Sequence, residues 1–100
     1  MSKAQFDDVI HPRHRLQICA LLSPLEDAEF RMLGDELKIS DSVLSKHIKK
    51  LEEAGYVNIR KRVADGRQRT WIGLSKEGRA AFTSHVEELK RLAEMISVRP

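Results

Sequence analysis

Cysteine and long hydrophobic segments are scarce in this sequence. Cys19 is the only cysteine among 100 residues, which excludes an intramolecular disulfide framework and any four-cysteine zinc site. No apolar run reaches the roughly 18 residues that a membrane-spanning helix requires, and residues 1–10 contain no signal-peptide core. We therefore expect a soluble, cytoplasmic protein that has no membrane partner.

Motifs of catalysis and metal binding are also missing. The sequence has no nucleophile-elbow glycine pattern, no phosphate-cradling loop and no paired His-Glu motif, so it does not predict an enzyme. No carboxylate or thiol cluster accompanies His11, His14 and His85, so we predict no metal site and no cofactor. Cys19 falls on the apolar side of the first predicted helix, where a buried, inert thiol is expected rather than a redox sensor.

Positive charge is concentrated in the middle of the chain. The net charge is +3, and 41% apolar with 33% charged residues is typical of one small globular domain spanning residues 1–100. Residues 40–70 carry 8 basic and 4 acidic side chains, whereas residues 1–39 carry 5 and 7. A polyanion would therefore be attracted to the middle third of the chain.

Hydrophobic periodicity predicts three helices in the first half of the sequence. Pro12 suits the first position of helix one, which ends near residues 23–24. Helix two is indicated by apolar residues spaced by three and four: Phe30, Leu33 and Leu37. Helix three runs over residues 41–54, with Ser40 as its N-cap and Gly55 as the left-handed residue that ends it. Its predicted buried side consists of Leu44, Ile48 and Leu51.

The hydrophobic period then changes to two. Two alternating segments flank a strong turn signal at Asp65-Gly66, which predicts a β-hairpin over about residues 57–74. Ser75 is expected to cap a closing helix that runs from residue 76 to about Val98. The fold class is thus mainly α with a small β-hairpin.

The third helix is predicted to expose small hydroxyl residues and lysines. This outward set comprises Ser42, Ser45, Lys46, Lys49 and Lys50. A solvated lysine face is the simplest interpretation of such a helix. Helices two and three, however, form a helix-turn-helix over about residues 29–54, and the second helix of that unit lies in the DNA major groove.

The hairpin supplies a second basic cluster directly after this helix. Its members are Arg60, Lys61, Arg62, Arg67 and Arg69. Arg60 and Lys61 are explained equally well by contact with DNA and by protection of an edge strand against aggregation. The tip has no neighbouring strand to guard against, so we expect Arg67 and Arg69 to contact DNA, with Arg67 entering the minor groove.

Three segments carry a family resemblance: "HPRHRLQICALL", "FRMLGDELKISDSVLSKHIKKLEEAGYV" and "KRVADGRQRTWIGLSKEGRAAF". Together they resemble the winged-helix transcriptional regulators of bacteria and archaea, close to the MarR-like and ArsR-like groups. The resemblance implies a winged helix-turn-helix, a homodimer and a near-palindromic operator. It also implies that Ser42, Ser45, Lys46 and Lys49 face bases and phosphates and that Arg67 lies at the wing tip.

Two departures from the resemblance limit what it implies. The stretch "FRMLGDELKIS" lacks the cysteines of metal-sensing ArsR-like proteins, so metal sensing is not supported. No motif predicts a small-molecule effector. His47 falls where the family often has a histidine, and we interpret it as a packing residue or a phosphate contact.

The closing helix is expected to be a dimerisation helix. Five apolar residues repeat along one side of it: Phe82, Val86, Leu89, Ala93 and Ile96. The far end of this side extends beyond what helix one can cover, so a second copy of the chain is the expected partner. A helix folded back over its own domain, in a monomer, is the alternative.

The sequence therefore predicts a dimeric, sequence-specific DNA-binding transcriptional regulator. We expect a repressor, because blocking polymerase requires only occupancy of the operator. Two alternatives are a winged-helix module that binds protein partners and a nonspecific DNA-architectural protein. The first would have an apolar or acidic outward face on helix three, and the second would use the same basic surface without sequence preference.

Overall fold

The structure is a computed structural model that describes residues 5–97. It contains four helices and three strands in the order α1 (Arg13–Leu22), β1 (Ala28–Glu29), α2 (Phe30–Leu37), α3 (Asp41–Glu53), β2 (Val57–Ala64), β3 (Arg67–Leu74) and α4 (Lys76–Ser97). This is the winged helix predicted from the sequence. Within the described residues, no helix is both long enough and apolar enough to cross a bilayer.

The first two helices lie close to their predicted positions. Pro12 is the N-cap of α1 rather than its first helical residue, a shift of one position. Lys38 caps the C-terminal end of helix α2: its left-handed backbone (φ 57°) turns the chain, and its N–H donates to the Gly34 carbonyl. This turn sets the angle at which α3 leaves α2, and so completes the helix-turn-helix.

Helix α3 has the predicted end signals. The Ser40 hydroxyl accepts a hydrogen bond from the Val43 N–H at 3.2 Å, and Asp41 lies in the positive first turn. At the other end Gly55 has φ 80°, and the N–H groups of Gly55 and Tyr56 donate to the carbonyls of Glu52 and Leu51. Local chemistry thus determines both ends of this helix.

The sheet has three antiparallel strands in the order β1-β3-β2. Strands β2 and β3 form the predicted hairpin, and Asp65 (φ 53°) and Gly66 (φ 76°) both have the positive φ that a two-residue turn requires. We call this hairpin the wing. Strand β1 was not predicted, because it has only two residues and exists through pairing of Ala28 with Ile72 and of Glu29 with Trp71.

The core lies between the first three helices and the base of the wing. Its fully buried side chains include Ile18, Leu22, Leu33, Leu44 and Leu51. The predicted inward side of α3 is confirmed, since Leu44 and Leu51 are fully buried and Ile48 is 3% exposed. The opposite side of α3 must therefore face outward.

Helix α4 begins in tight contact with the end of α3. The buried Ser75 donates its N–H to the Tyr56 carbonyl at 2.9 Å and its hydroxyl to the Gly55 carbonyl at 2.6 Å. The same hydroxyl caps α4 by accepting from the Gly78 N–H at 2.9 Å. The helix has 22 residues and residues 91–96 are all exposed, so its far end projects from the domain. The predicted end at Val98 lies outside the described residues.

An N-terminal segment for which the sequence predicted no element joins α3 to α4. Asp7 accepts a hydrogen bond from the Tyr56 hydroxyl at 2.5 Å, and its N–H donates to His85 Nδ1 at 2.9 Å. The opposite nitrogen of His85 lies 3.1 Å from His11 Nδ1, and Phe6 packs edge-on against both imidazoles. Because Tyr56 follows α3 and His85 lies on α4, this contact fixes one helix relative to the other.

Candidate nucleic-acid interface

The outward side of α3 is an exposed, mainly basic surface. All five residues predicted for it are exposed: Ser42, Ser45, Lys46, Lys49 and Lys50. We call these residues the outer face of α3. None of its three lysines forms an ion pair within residues 5–97, so their charge is not neutralised by a neighbouring carboxylate. The two serines are short enough to let another molecule approach the helix backbone.

A cleft of about 410 Å³ separates the outer face of α3 from the wing. Ser45 and Lys49 line it from the helix, and Ile59 and Thr70 line it from the wing. Cross-strand partners lie on one face of a sheet, and Lys61 is paired with Thr70. Lys61 is therefore on the side of the wing that faces α3, although the sequence favoured edge protection and DNA contact equally for it.

Arg62 and Arg69 occupy the other face of the wing as a cross-strand pair. Arg62 donates to Asp27 at 2.6 Å and lies 4.5 Å from the centre of the Trp71 ring. Arg69 donates to both carboxylate oxygens of Glu29, each at 3.2 Å. These two arginines stabilise the wing against the strand β1 region, and their charge is partly neutralised there.

Arg67 differs from these two arginines in its surroundings. It is paired with Ala64 next to the turn, it is exposed, and it forms no ion pair with any residue between 5 and 97. The structure thus places at the wing tip, where the sequence predicted it, a guanidinium that has no carboxylate partner among residues 5–97.

Arg15 of α1 adjoins this surface, although no pattern in the sequence predicted it. Arg15 contacts His47 of α3, with 3.2 Å between Nη1 and Nδ1, and donates from Nε to the Val9 carbonyl. It lines a hollow of about 380 Å³ beside three lysines of α3. The basic stretch "PRHR" indicates positive charge at the start of α1. Only the packing of α1 against α3 shows that Arg15, rather than Arg13, lies beside the lysines of α3.

The histidines and Cys19 pack against neighbouring side chains. His11 contacts His85, and His14 lies 5.3 Å from His47, so the two histidines near α1 face different neighbours rather than each other. No group of three or more potential metal ligands occurs within the described part of the chain. Cys19 is fully buried, and burial, assisted by the charge of Asp7, raises its thiol pKa to about 12. The burial of Cys19 and its raised pKa are both consistent with the expected inert thiol.

The proposed dimer side of α4 changes character along its length. Phe82, Val86 and Leu89 are half-buried, with Phe82 packed against the core, whereas Ala93 and Ile96 are exposed. Large apolar side chains are concentrated at the projecting end, with Met95 61% and Ile96 70% exposed. The covered part is therefore the near half of the helix, and the uncovered part is the far half.

Comparison with known proteins identifies the family to which this fold belongs. The model of the winged helix DNA-binding domain matches residues 14–93. This chain belongs to that family. The winged-helix regulator resemblance drawn from the sequence is thereby confirmed.

Relatives of this winged-helix chain include archaeal and bacterial proteins. It is 42% identical over 82 residues to the uncharacterised protein MJ0432 of Methanocaldococcus jannaschii. The matched region covers 82% of this chain and 89% of that protein. A transcriptional regulator homologue of Pyrococcus horikoshii has 27% identity and a TM-score of 0.85, over 90% of this chain and 89% of that one. HlyU of Vibrio cholerae has 29% identity and a TM-score of 0.62, over 84% and 83% of the two chains.

Proposed function

We propose that this winged-helix chain is a DNA-binding transcriptional regulator that binds double-stranded DNA through α3 and the wing. The observation that carries the proposal is the outer face of α3, where two serines in the N-terminal half of the helix precede three exposed lysines that form no ion pair within residues 5–97. A solvated helix would not require small residues beside its lysines. A helix that enters the major groove does, because base edges must come within hydrogen-bond distance of the side chains.

The proposed contacts divide into two groups by position. Ser42 and Ser45 approach base edges, and the lysines of the outer face of α3 contact bases or phosphates. Arg67 enters the minor groove from the wing tip. Arg62 and Arg69 belong to the same interface, but we expect smaller losses when they are replaced, since Asp27 and Glu29 already neutralise part of their charge.

We further propose that the active form is a homodimer that binds a near-palindromic operator as a repressor. The proposed interface contains Phe82, Val86, Leu89, Ala93 and Ile96. The exposed apolar end of α4 supports this proposal, because a helix that ends in Leu92, Met95 and Ile96, at 38%, 61% and 70% exposure, needs a partner to cover it. A two-fold dimer would place its recognition helices in successive major grooves, about 34 Å apart. The proposed domain is the whole chain, with a helix-turn-helix over about 29–54 and a wing over about 57–74.

The DNA proposal is tested by titrating fluorescent duplexes at several salt concentrations. Lys49→Ala should lower the slope of log affinity against log salt by about 0.9 and weaken all duplexes alike, as expected for one lost phosphate contact. Lys76→Ala is the matched control, because Lys76 is also exposed but begins α4. An unchanged slope for Lys49→Ala would remove this lysine from the interface.

The same titration separates the proposal from its two alternatives. Equal affinity for all duplex sequences would indicate an architectural protein, and no binding at low salt would leave protein interaction as the function. For Arg67→Ala we expect a selective loss of about 1–3 kcal/mol on sites with A·T-rich flanks. Equal loss on G·C-rich flanks would argue against minor-groove insertion.

The dimer is tested by sedimentation of Ile96→Asp. Ile96 is 70% exposed in one chain, so the substitution should leave the fold intact while placing a carboxylate in the proposed interface. Thr83→Asp adds the same charge at another exposed position of α4 and should remain dimeric. A wild type that is monomeric at micromolar concentration, or an Ile96→Asp variant that still dimerises, would contradict this assignment of α4.

A further inference from the structure

Arg15 is held in a fixed orientation by two uncharged acceptors. Its Nε donates to the Val9 carbonyl at 2.5 Å, and its Nη1 lies 3.2 Å from His47 Nδ1. Because a guanidinium only donates, His47 Nδ1 must accept, and the imidazole proton is on Nε2. Two of the five N–H donors of Arg15 are used in this way, and three on Nη1 and Nη2 have no acceptor in the described part of the chain.

The charge of Arg15 is not neutralised by this arrangement. Arg62, Arg69 and Arg91 each form an ion pair with a carboxylate. Over residues 5–97, no such pair involves Arg15. A guanidinium that is oriented but keeps its full charge is suited to an anion from outside the molecule, because the entropic cost of ordering it has already been met by folding.

The surroundings of Arg15 also favour an anion. The hollow that it lines is completed by Lys46, His47, Lys49, Lys50 and Glu53, so four cationic side chains adjoin one carboxylate. Burial, His14 and Arg15 together lower the pKa of His47, which keeps the imidazole neutral at pH 7. Its Nε2–H is then a donor for which residues 5–97 provide no acceptor.

We propose that Arg15 and His47 form a clamp for one backbone phosphate of the DNA duplex that α3 contacts. Arg15 supplies the charge and up to three N–H donors, and His47 both orients Arg15 and donates from Nε2. The clamp would fix how deeply α3 enters the major groove, since it binds the backbone beside the helix and contacts no base. This inference rests on the proposed DNA-binding function.

The test compares Arg15→Gln with Arg13→Gln in salt-dependent duplex titrations. Arg13 is exposed on the same helix and lies outside the hollow. Arg15→Gln should lower the salt slope by about 0.9 and weaken every duplex by a similar factor, on the order of tenfold. Arg13→Gln should resemble the wild type. Identical slopes for wild type and Arg15→Gln would overturn the clamp while leaving the proposed function standing.

A double-mutant cycle separates the contribution of His47 to DNA affinity from that of Arg15. His47→Leu removes no charge at pH 7 and provides neither an acceptor nor a donor, so the salt slope should stay unchanged while affinity falls because Arg15 loses an orienting acceptor. Adding His47→Leu to Arg15→Gln should then cost less than it does in the wild type. Fully additive losses would show that the two residues act independently, and would overturn the clamp.

A measurement on the wild type avoids any folding defect of the variants. In ¹⁵N-labelled protein the Arg15 guanidinium signals should shift when a short duplex is added to saturation, and the Arg13 signals should not. Unchanged Arg15 signals in the complex would overturn the inference. A wild type that binds no duplex would overturn both the clamp and the proposed function.

Discussion

Replacement of Gly78 by alanine should destabilise the fold through one backbone contact. A Cβ built at Gly78 would lie 2.1 Å from the Tyr56 carbonyl oxygen and 2.9 Å from its carbon, whereas ordinary contact begins at 3.4 Å. Both atoms belong to the backbone, so no side-chain rotation relieves the clash. Helix α4 would have to move away from the end of α3, which would also strain the 2.9 Å hydrogen bond from Ser75 N to Tyr56 O.

The expected loss follows from three opposing contributions. Overpacking against a rigid neighbour costs roughly 1–3 kcal/mol, and weakening of the hydrogen bond costs about 1 kcal/mol more. Alanine is favoured over glycine within a helix by about 1 kcal/mol. The net loss is about 1–3 kcal/mol, which lowers the Tm by at least about 4 °C in a domain of this size.

Gly34→Ala is a matched control with the opposite sign. Gly34 is also a buried glycine within a helix, but its nearest neighbours to an added Cβ are 3.5 and 3.6 Å away, at ordinary contact distance. Only the helix preference is left, so the Tm should stay the same or rise by a few degrees. Thermal denaturation followed by circular dichroism measures both variants. A Gly78→Ala protein as stable as the wild type would refute the close packing of α4 against Tyr56.

Three further predictions concern single side chains. Cys19, buried and with its thiol pKa raised to about 12, should not react with a disulfide reagent at pH 8 until the protein unfolds; rapid native-state labelling would contradict its burial. Burial and His11 lower the pKa of His85 below its ordinary 6.5, despite the opposite effect of Asp7. The unfolded chain therefore binds a proton at His85 more readily than the folded one, so the stabilising effect should be complete above about pH 6.5 and should decrease as the pH falls. The Tm of His85→Gln should fall less steeply with decreasing pH than the Tm of the wild type. Ser45→Glu should abolish duplex binding with an unchanged Tm, and a large stability loss would mean that Ser45 faces inward.

Features set by neighbouring residues could be predicted from the sequence. The serine cap and glycine end of α3, the Asp65-Gly66 turn and the inward stripe of α3 all depend on residues a few positions apart, so periodicity and end signals were sufficient. The outer face of α3 followed directly, because the exposed side of a helix is the one opposite its apolar stripe.

Features set by distant residues could not be predicted. The pairing of Ala28 with Ile72 and the ion pair of Arg62 with Asp27 join parts of the chain more than thirty residues apart, and no local pattern announces them. The same holds for Arg15 and His47 and for Asp7 and His85. Charge counts along the chain identified the basic region, but only the contacts among residues 5–97 show that Arg69 forms an ion pair and that Arg67 forms none there.

Selection from a random duplex library with the wild-type protein tests the central claim most directly. The claim is that two copies of α3 read DNA sequence in successive major grooves. The proposed regulator should enrich one near-palindrome whose half-site centres lie about 10 base pairs apart. A library that stays random after repeated rounds, at a salt concentration where the protein binds DNA, would contradict sequence-specific recognition by α3.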